Sequence, residues 1–202
     1  MAFSFFFRDL PTLEAAVNNM YDATIGQSRV RVWDAGCAMG YELFTLSMLL
    51  SEKFGHFGYR KITIYASDIE KEFGDIIKKA EYPGGDIERI PDYYRNKYFS
   101  PAEAEGIFRV SEHLCSQISF LHHDILTLKP VSEALNLIVC KNVMLHFQPD
   151  ERIEVFRMFH RALAPGGILA NENTQKLPVE LDGYFEQIVD GAQVYRRLEV
   201  RR

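Results

Sequence analysis

The sequence predicts an α/β fold, a mostly parallel sheet of the Rossmann-like doubly wound kind with helices on both faces. Three observations carry that reading. Short apolar runs alternate with segments of helical period, as expected of successive βαβ units. The first run, Val30-Arg31-Val32-Trp33-Asp34-Ala35, empties into Gly36-Cys37-Ala38-Met39-Gly40 and then into a helical pattern. A later run, Leu135-Asn136-Leu137-Ile138-Val139-Cys140, is nearly continuous in apolar residues, as a strand covered on both faces requires.

The remaining elements follow in order. Leu43, Leu46, Leu50 and Phe54 recur at helical spacing after the first strand, and Lys61–Ala66 forms a second strand closing on Ser67-Asp68. Ile69, Phe73, Ile76, Ile77 and Ala80 mark the next helix. Regularity then lapses into Pro83-Gly84-Gly85, the aromatics Tyr93, Tyr94, Tyr98 and Phe99, and a short β-like Ile107–Val110; residues 82–119 are expected to form an insertion on one edge of the sheet. Ile118–Leu121 resumes the strand pattern. A helix with Ile153, Phe156, Phe159 and Leu163 on one face is expected to stop at Pro165-Gly166-Gly167. Ile168–Ala170 and Ala192–Tyr195 supply the closing strands. No internal repeat or low-complexity segment interrupts what reads as one domain over residues 1–202.

Composition narrows the function. With 202 residues and 47% hydrophobic content the chain can bury a substantial core. The net charge of −5, with basic residues dispersed, gives no footprint for nucleic acid. Cys37, Cys115 and Cys140 are odd in number and widely spaced, which fits neither a disulfide framework nor a metal-binding pair. A reduced cytoplasmic setting without a metal is expected. No apolar run approaches the roughly 20 residues of a membrane span, and Ser4–Asp9 is too short, with misplaced charges, for a signal peptide.

Chemistry concentrates at the first two strand ends. Gly36, Ala38 and Gly40 lie where a strand meets a helix N-terminus, and small residues there let a nucleotide-like ligand approach the backbone. A tight turn that merely tolerates glycine is the alternative. Asp68 ends the second strand, where doubly wound folds place an acid against ribose hydroxyls. A third glycine would serve a pyrophosphate, but Glu42 stands at about that place. Its charge would repel phosphate and suits an ammonium group such as that of S-adenosylmethionine, so the loop favours a cofactor without phosphates.

Several separated motifs resemble, in order and spacing, the CheR methyltransferases, which methylate glutamate side chains of bacterial chemoreceptors. They are Phe6-Phe7-Arg8-Asp9, Val32–Glu42, Ala66-Ser67-Asp68-Ile69, Glu105–Val110, Phe120–Leu126, Ile138–Phe147 and Val194-Tyr195. The resemblance spans nearly the whole chain. It implies a class I methyltransferase sheet with an antiparallel closing strand, S-adenosylmethionine as cofactor and S-adenosylhomocysteine as product. It places Ser4 and Arg8 near cofactor and acceptor, Glu42 at the methionine end, Asp68 on the ribose, Asp124 and Ile125 around the adenine, and Lys141 and Asn142 along the cleft. Plainer readings stand beside these: Ser4 and Arg8 as frayed terminal residues, Glu42 as a first-turn charge favoured by the helix dipole, Asp124 and Asn142 as turn formers.

The sequence also departs from the family pattern. Lys141-Asn142 replaces an Arg-Asn pair, His146 stands where a tyrosine flanks the reacting methyl, Ala38-Met39-Gly40-Tyr41-Glu42 replaces Ser-Thr-Gly-Glu-Glu, and the late Ser-Glu is replaced near Asn173-Thr174. Arg8, orienting the acceptor carboxylate, and His146 are the candidate catalytic residues; a structural polar role for His146 remains the alternative. The family's N-terminal helical domain does not precede Arg8 in this sequence, so docking is expected to differ or to use another chain. Ser100–Gly106 lacks paired glycines, so no pentapeptide tether is expected. The expected acceptor is a protein, a chemoreceptor cytoplasmic region, with no nucleic acid and no membrane insertion. Two other classes compete: a regulatory module that binds the cofactor without turnover, and a methyltransferase with a different acceptor.

Overall fold

A computed structural model describes residues 4–172, 174 and 176–200. Helix α1 (Leu10–Ala23) precedes β1 (Val30–Ala35), α2 (Tyr41–Tyr59), β2 (Ile62–Asp68) and α3 (Phe73–Lys79). The edge insertion follows as β3 (Glu81–Pro83), α4 (Gly84–Ile87), α5 (Asp92–Tyr98), β4 (Phe99–Pro101), β5 (Ile107–Val110) and α6 (Glu112–Cys115). The chain then returns to the main sheet with β6 (Ile118–His122), β7 (Leu135–Cys140), α7 (Pro149–Ala162), β8 (Leu163–Asn171), β9 (Phe185–Gln187) and β10 (Val194–Arg197).

The main sheet has the order β6-β2-β1-β7-β8-β10-β9, and β3-β5-β4 form a separate small antiparallel sheet. Strands β6, β2, β1, β7 and β8 run parallel; β10 is antiparallel to both neighbours. The expected doubly wound sheet with an antiparallel closing strand is thus the observed one. The chain winds outward from β1 to β2 and β6, then crosses back to β7 on the other side of β1. That reversal opens a crevice beyond the carboxyl ends of β1 and β7, where open α/β sheets bind ligands. Register aligns the strand ends: Ala35 pairs with Ser67, Asp34 with Val139, and Cys140 with Asn171.

Both faces of the sheet are covered. Val30, Val32, Leu137, Val139, Ile168 and Ala170 pack under α1 and α2 against Leu13, Val17, Met20, Leu43, Leu46 and Leu50. The alternate residues Trp33, Ile138, Cys140 and Leu169 pack under α7 against Val155, Phe156 and Phe159. Period-two alternation therefore loads opposite layers with apolar area. Helix α7 starts at Pro149, with the Glu151 carboxylate accepting the Gln148 N–H at 2.8 Å.

Three expected boundaries shift. The helix expected to stop at Pro165-Gly166-Gly167 ends at Ala162, and that tripeptide lies inside β8. Leu163 already pairs with Leu135, and Gly167 passes so close to the Leu135 carbonyl that a Cβ would lie 2.9 Å from it. The glycine serves strand approach, not helix termination. The helix expected from Ile69 begins only at Phe73, because Asp68 Oδ1 accepts the Glu70 N–H at 3.1 Å and holds a turn; Ile69 is exposed. The last strand starts at Val194, not Ala192. Helix α1 and strand β9 were not anticipated from the sequence patterns.

Candidate functional site

The loop between β1 and α2 is fixed from below. Gly36 N–H and Cys37 N–H both donate to the Ser67 carbonyl, at 2.8 and 3.0 Å, and Ala38 N–H donates to Asp68 Oδ2 at 2.9 Å. Gly36 and Gly40 have φ of 91°, and Ala38 shares the left-handed region at 46°. The glycines are obligatory for packing too: a Cβ on Gly36 would lie 2.2 Å from Val143 Cγ2, and one on Gly40 2.8 Å from the Tyr82 hydroxyl. That hydroxyl donates to the Met39 carbonyl at 2.7 Å, so the edge insertion also holds the loop. Asp68 spends one lone pair of each carboxylate oxygen on a backbone N–H. A second lone pair on each oxygen stays available to hydroxyl donors.

The wall opposite the loop is built by residues 5–9. The Phe6 ring is 1% exposed and wedges edge-on among Tyr41, Tyr82 and Phe99. Phe7 and Asp9 flank Arg8 in left-handed conformations, φ 62° and 52°, each costing roughly 1–2 kcal/mol for a non-glycine residue. The Phe7 N–H donates to Thr45 Oγ1 at 3.0 Å and Thr12 Oγ1 donates to Asp9 Oδ1 at 2.9 Å, which offsets that cost. The result delivers Arg8 beside Glu42 and Asp9 onto Lys141.

Lys141, the first residue past β7, is the centre of the site. Its ammonium is buried, 3.0 Å from Asp9 Oδ2 and 3.3 Å from Glu42 Oε2. Both are ion pairs. Burial pushes the Glu42 carboxyl above the usual carboxylate range, with Lys141 and Arg8 opposing and Asp9 adding to the rise. Beneath them Asp34 is 0% exposed, and burial lifts its carboxyl well above its ordinary value, reinforced by Glu42 and opposed by Lys141. Glu172, past β8, accepts the Asn142 N–H at 3.0 Å through Oε2; burial raises this carboxyl as well. Asn142 makes that turn with φ 60°.

The expected residues divide by location. Gly36, Ala38, Gly40, Glu42, Asp68, Lys141 and Asn142 converge on the crevice with Arg8. Ser4, half-buried, precedes this wall. The β6 end joins them through the His123 N–H, which donates to the Asp68 carbonyl at 2.8 Å. The next residue, Asp124, is exposed and caps the turn Ile125–Thr127 by accepting the Leu126 N–H at 2.8 Å; Ile125 is buried. His146 is exposed on the turn Met144–His146 and makes no ion pair or side-chain hydrogen bond among the described residues. Asn173 lies outside the described residues. Asp9, Asp34 and Glu172 join the site without having been singled out; a charged residue closing an apolar strand, as Asp34 does, is the signal for one of them. Among the described residues no cluster is arranged to hold a metal ion, and no helix is long and apolar enough to cross a membrane.

The groups present fit a sulfonium nucleoside bearing an amino acid: glycine-lined backbone, an acid with spare acceptors at the β2 end, and a buried mix of carboxyls and one ammonium. Comparisons agree. The chain is similar to chemotaxis protein methyltransferase of Borreliella burgdorferi, 31% identical over 138 residues covering 67% of this chain and 48% of that protein. It is 25% identical to chemotaxis protein methyltransferase 2 of Vibrio cholerae over 171 residues, 82% of this chain and 59% of that one. The chain thus spans less than two thirds of either relative. The structure of PKMT2 from Rickettsia typhi in complex with AdoHcy shares the fold, with a TM-score of 0.50 and 14% identity over 85% of this chain and 26% of that one. The model of the family described as CheR methyltransferase, SAM binding domain, matches residues 2–192, and the chain belongs to that family.

Proposed function

We propose that this chain, as one methyltransferase domain whose edge insertion between α3 and β6 is a reduced β-subdomain, transfers a methyl group from S-adenosylmethionine to a glutamate carboxylate of a chemoreceptor-like protein in the cytoplasm. The observation that carries the reading is buried Lys141 held between Asp9 and Glu42 beside a left-handed loop pinned to Asp68. S-adenosylmethionine supplies an electrophilic methyl on a positively charged sulfur. Glu42 and Lys141 would receive its amino-acid end, Asp68 its ribose, Ile125 and Asp124 its adenine.

A glutamate side chain, with an unperturbed pKa of about 4.3, reaches the site already ionised, so the chain need supply no general base. Its residues instead align and desolvate. Arg8, half-buried on the wall, offers a planar fork to the acceptor carboxylate. The face of Phe147 is suited to steady positive charge, whereas the Phe5 ring already carries the Arg89 guanidinium 5.5 Å from its centroid. His146, exposed beyond Asn142, is with Arg8 the other candidate catalytic residue in this reading. No pentapeptide tether and no nucleic acid enter this reading.

The test is transfer of radiolabelled methyl to receptor cytoplasmic fragments. Base-labile label on glutamate is the expected result. Base-stable label would assign another acceptor atom, and S-adenosylhomocysteine binding without any transfer would assign a regulatory module.

A further inference from the structure

The edge insertion reaches the glycine loop through Tyr82. This residue of β3 is 2% exposed, and its hydroxyl donates to the Met39 carbonyl at 2.7 Å. At the other end of the same peptide unit, the Gly40 N–H donates to the Cys37 carbonyl at 3.0 Å. A peptide unit is planar, so bonds at both ends fix its orientation. They fix with it the turn Cys37–Gly40, in which Ala38 is left-handed. The Tyr82 ring meets Phe6 edge-on at 5.0 Å between centroids, and Tyr41 and Phe44 lie 5.4 and 5.9 Å from it. Phe6 in turn anchors the wall that holds Arg8. One side chain of the insertion therefore touches both sides of the crevice.

Other bonds already fasten the insertion to α2. Glu52 accepts from Tyr93, Lys97 and Tyr98 at 3.0, 2.7 and 2.6 Å, and Tyr41 Oη donates to Asp86 Oδ2 at 2.7 Å. None of these bonds touches the backbone of Gly36–Gly40, whereas the Tyr82 hydroxyl does. Resting on the S-adenosylmethionine reading above, we propose that Tyr82 is a positioning residue for the methyl donor: from the insertion it sets the Met39–Gly40 peptide and the Phe6 wall at once. Asp68 holds the same turn from the opposite side, through the Ala38 N–H at 2.9 Å. Tyr82 itself touches neither donor nor acceptor in this role; it acts through the loop. Burial and the neighbouring Tyr41 push its phenol far above the ordinary range, so the hydroxyl keeps the proton it donates.

Two measurements on wild type, Tyr82→Phe and Glu52→Gln test this: amide hydrogen exchange without ligand, and titration calorimetry with S-adenosylhomocysteine. Tyr82→Phe keeps the ring and removes only the hydroxyl. It is expected to speed exchange at Ala38 and Gly40 about fivefold and to weaken binding by a similar factor, the scale of one neutral hydrogen bond. Glu52→Gln loosens the insertion at its other attachment and is expected to leave both readings unchanged. In methyl-transfer kinetics the donor KM of Tyr82→Phe is expected to rise by the same factor while the acceptor KM holds. Should Tyr82→Phe not fold, Tyr82→Met, with a flexible side chain suited to filling the space, serves the same comparison. Unchanged exchange or unchanged affinity in the Tyr82 variant, equal losses in Glu52→Gln, or an acceptor KM that rises in parallel overturns the proposal. Failure of the wild type to bind S-adenosylhomocysteine, with loop exchange still faster in Tyr82→Phe, overturns the cofactor reading itself, and the donor-positioning role with it.

Discussion

Helix α2 carries two carboxylates that the fold treats oppositely. Glu52 accepts hydrogen bonds from Tyr98 Oη at 2.6 Å, Lys97 Nζ at 2.7 Å and Tyr93 Oη at 3.0 Å, all from α5 of the insertion. Burial alone would raise its pKa; Lys97, Tyr98 and Tyr93 together overcome that and hold it below the usual range. Glu42, in the first turn of the same helix, has Lys141 at 3.3 Å and a neighbouring acid in Asp9, and its pKa stays raised. The satisfied carboxylate fastens the insertion to the core. The under-satisfied one faces the crevice, where perturbed groups gather when they have chemistry to do. Polar satisfaction, and not residue type, separates scaffold from site.

The largest expected effect comes from removing the cation that Asp9 and Glu42 share. Lys141→Met leaves buried carboxyls uncompensated and should cost about 3 kcal/mol at neutral pH in urea unfolding. The loss should shrink as pH falls and those carboxyls take up protons; a pH-independent loss would mean that Lys141 acts by packing alone. Next comes the pair of amides. Glu42→Gln should change stability by less than about 1 kcal/mol, since lost attraction and relieved burial cost offset. It should weaken S-adenosylhomocysteine binding tenfold or more, the scale of a hydrogen bond to a charged group. Glu52→Gln should do the reverse, costing about 1–2 kcal/mol by loss of charge-assisted hydrogen bonds while leaving that affinity unchanged. Equal affinity losses in both variants would erase the distinction between them.

What could be read from sequence was what local periodicity writes. The runs at Val30–Ala35 and Leu135–Cys140, the glycine loop and Asp68 all report their own backbone environment, and they locate the crevice. Helix α1 has a helical spacing in Leu13, Ala16, Val17 and Met20 and Pro11 in its first turn, signals that went unread; its cap is atypical, because Asp9 precedes it in a left-handed conformation and makes no side-chain cap. Asp9 and Glu172 were illegible as site residues because their partners, Lys141 and the Asn142 N–H, are brought to them only by the sheet. Pro165-Gly166-Gly167 misleads for a related reason. A helix stop and a close approach to the Leu135 carbonyl both ask for glycine, and only the tertiary neighbour decides which applies.

The smallest effect is a difference in slope, and it separates the scaffold carboxylate from the buried acid under the crevice. Glu52 is held low in the folded state, so the stability it contributes is present above the unfolded value of about 4.3 and is lost as pH falls through the folded value. Asp34 is held high, so the folded state binds its proton more tightly than the unfolded chain does. Stability therefore declines as pH rises from about 3.9 toward the folded value, and the deficit is constant beyond it. Unfolding free energies of wild type minus Glu52→Gln should then climb as pH rises toward the unfolded value of about 4.3, while wild type minus Asp34→Asn should descend from about pH 4 upward. An amplitude near 1 kcal/mol is expected for the partly exposed Glu52, where solvent screens the interaction. The sign is the decisive feature: slopes of the same sense would mean that Asp34 is stabilised as a carboxylate in the folded protein.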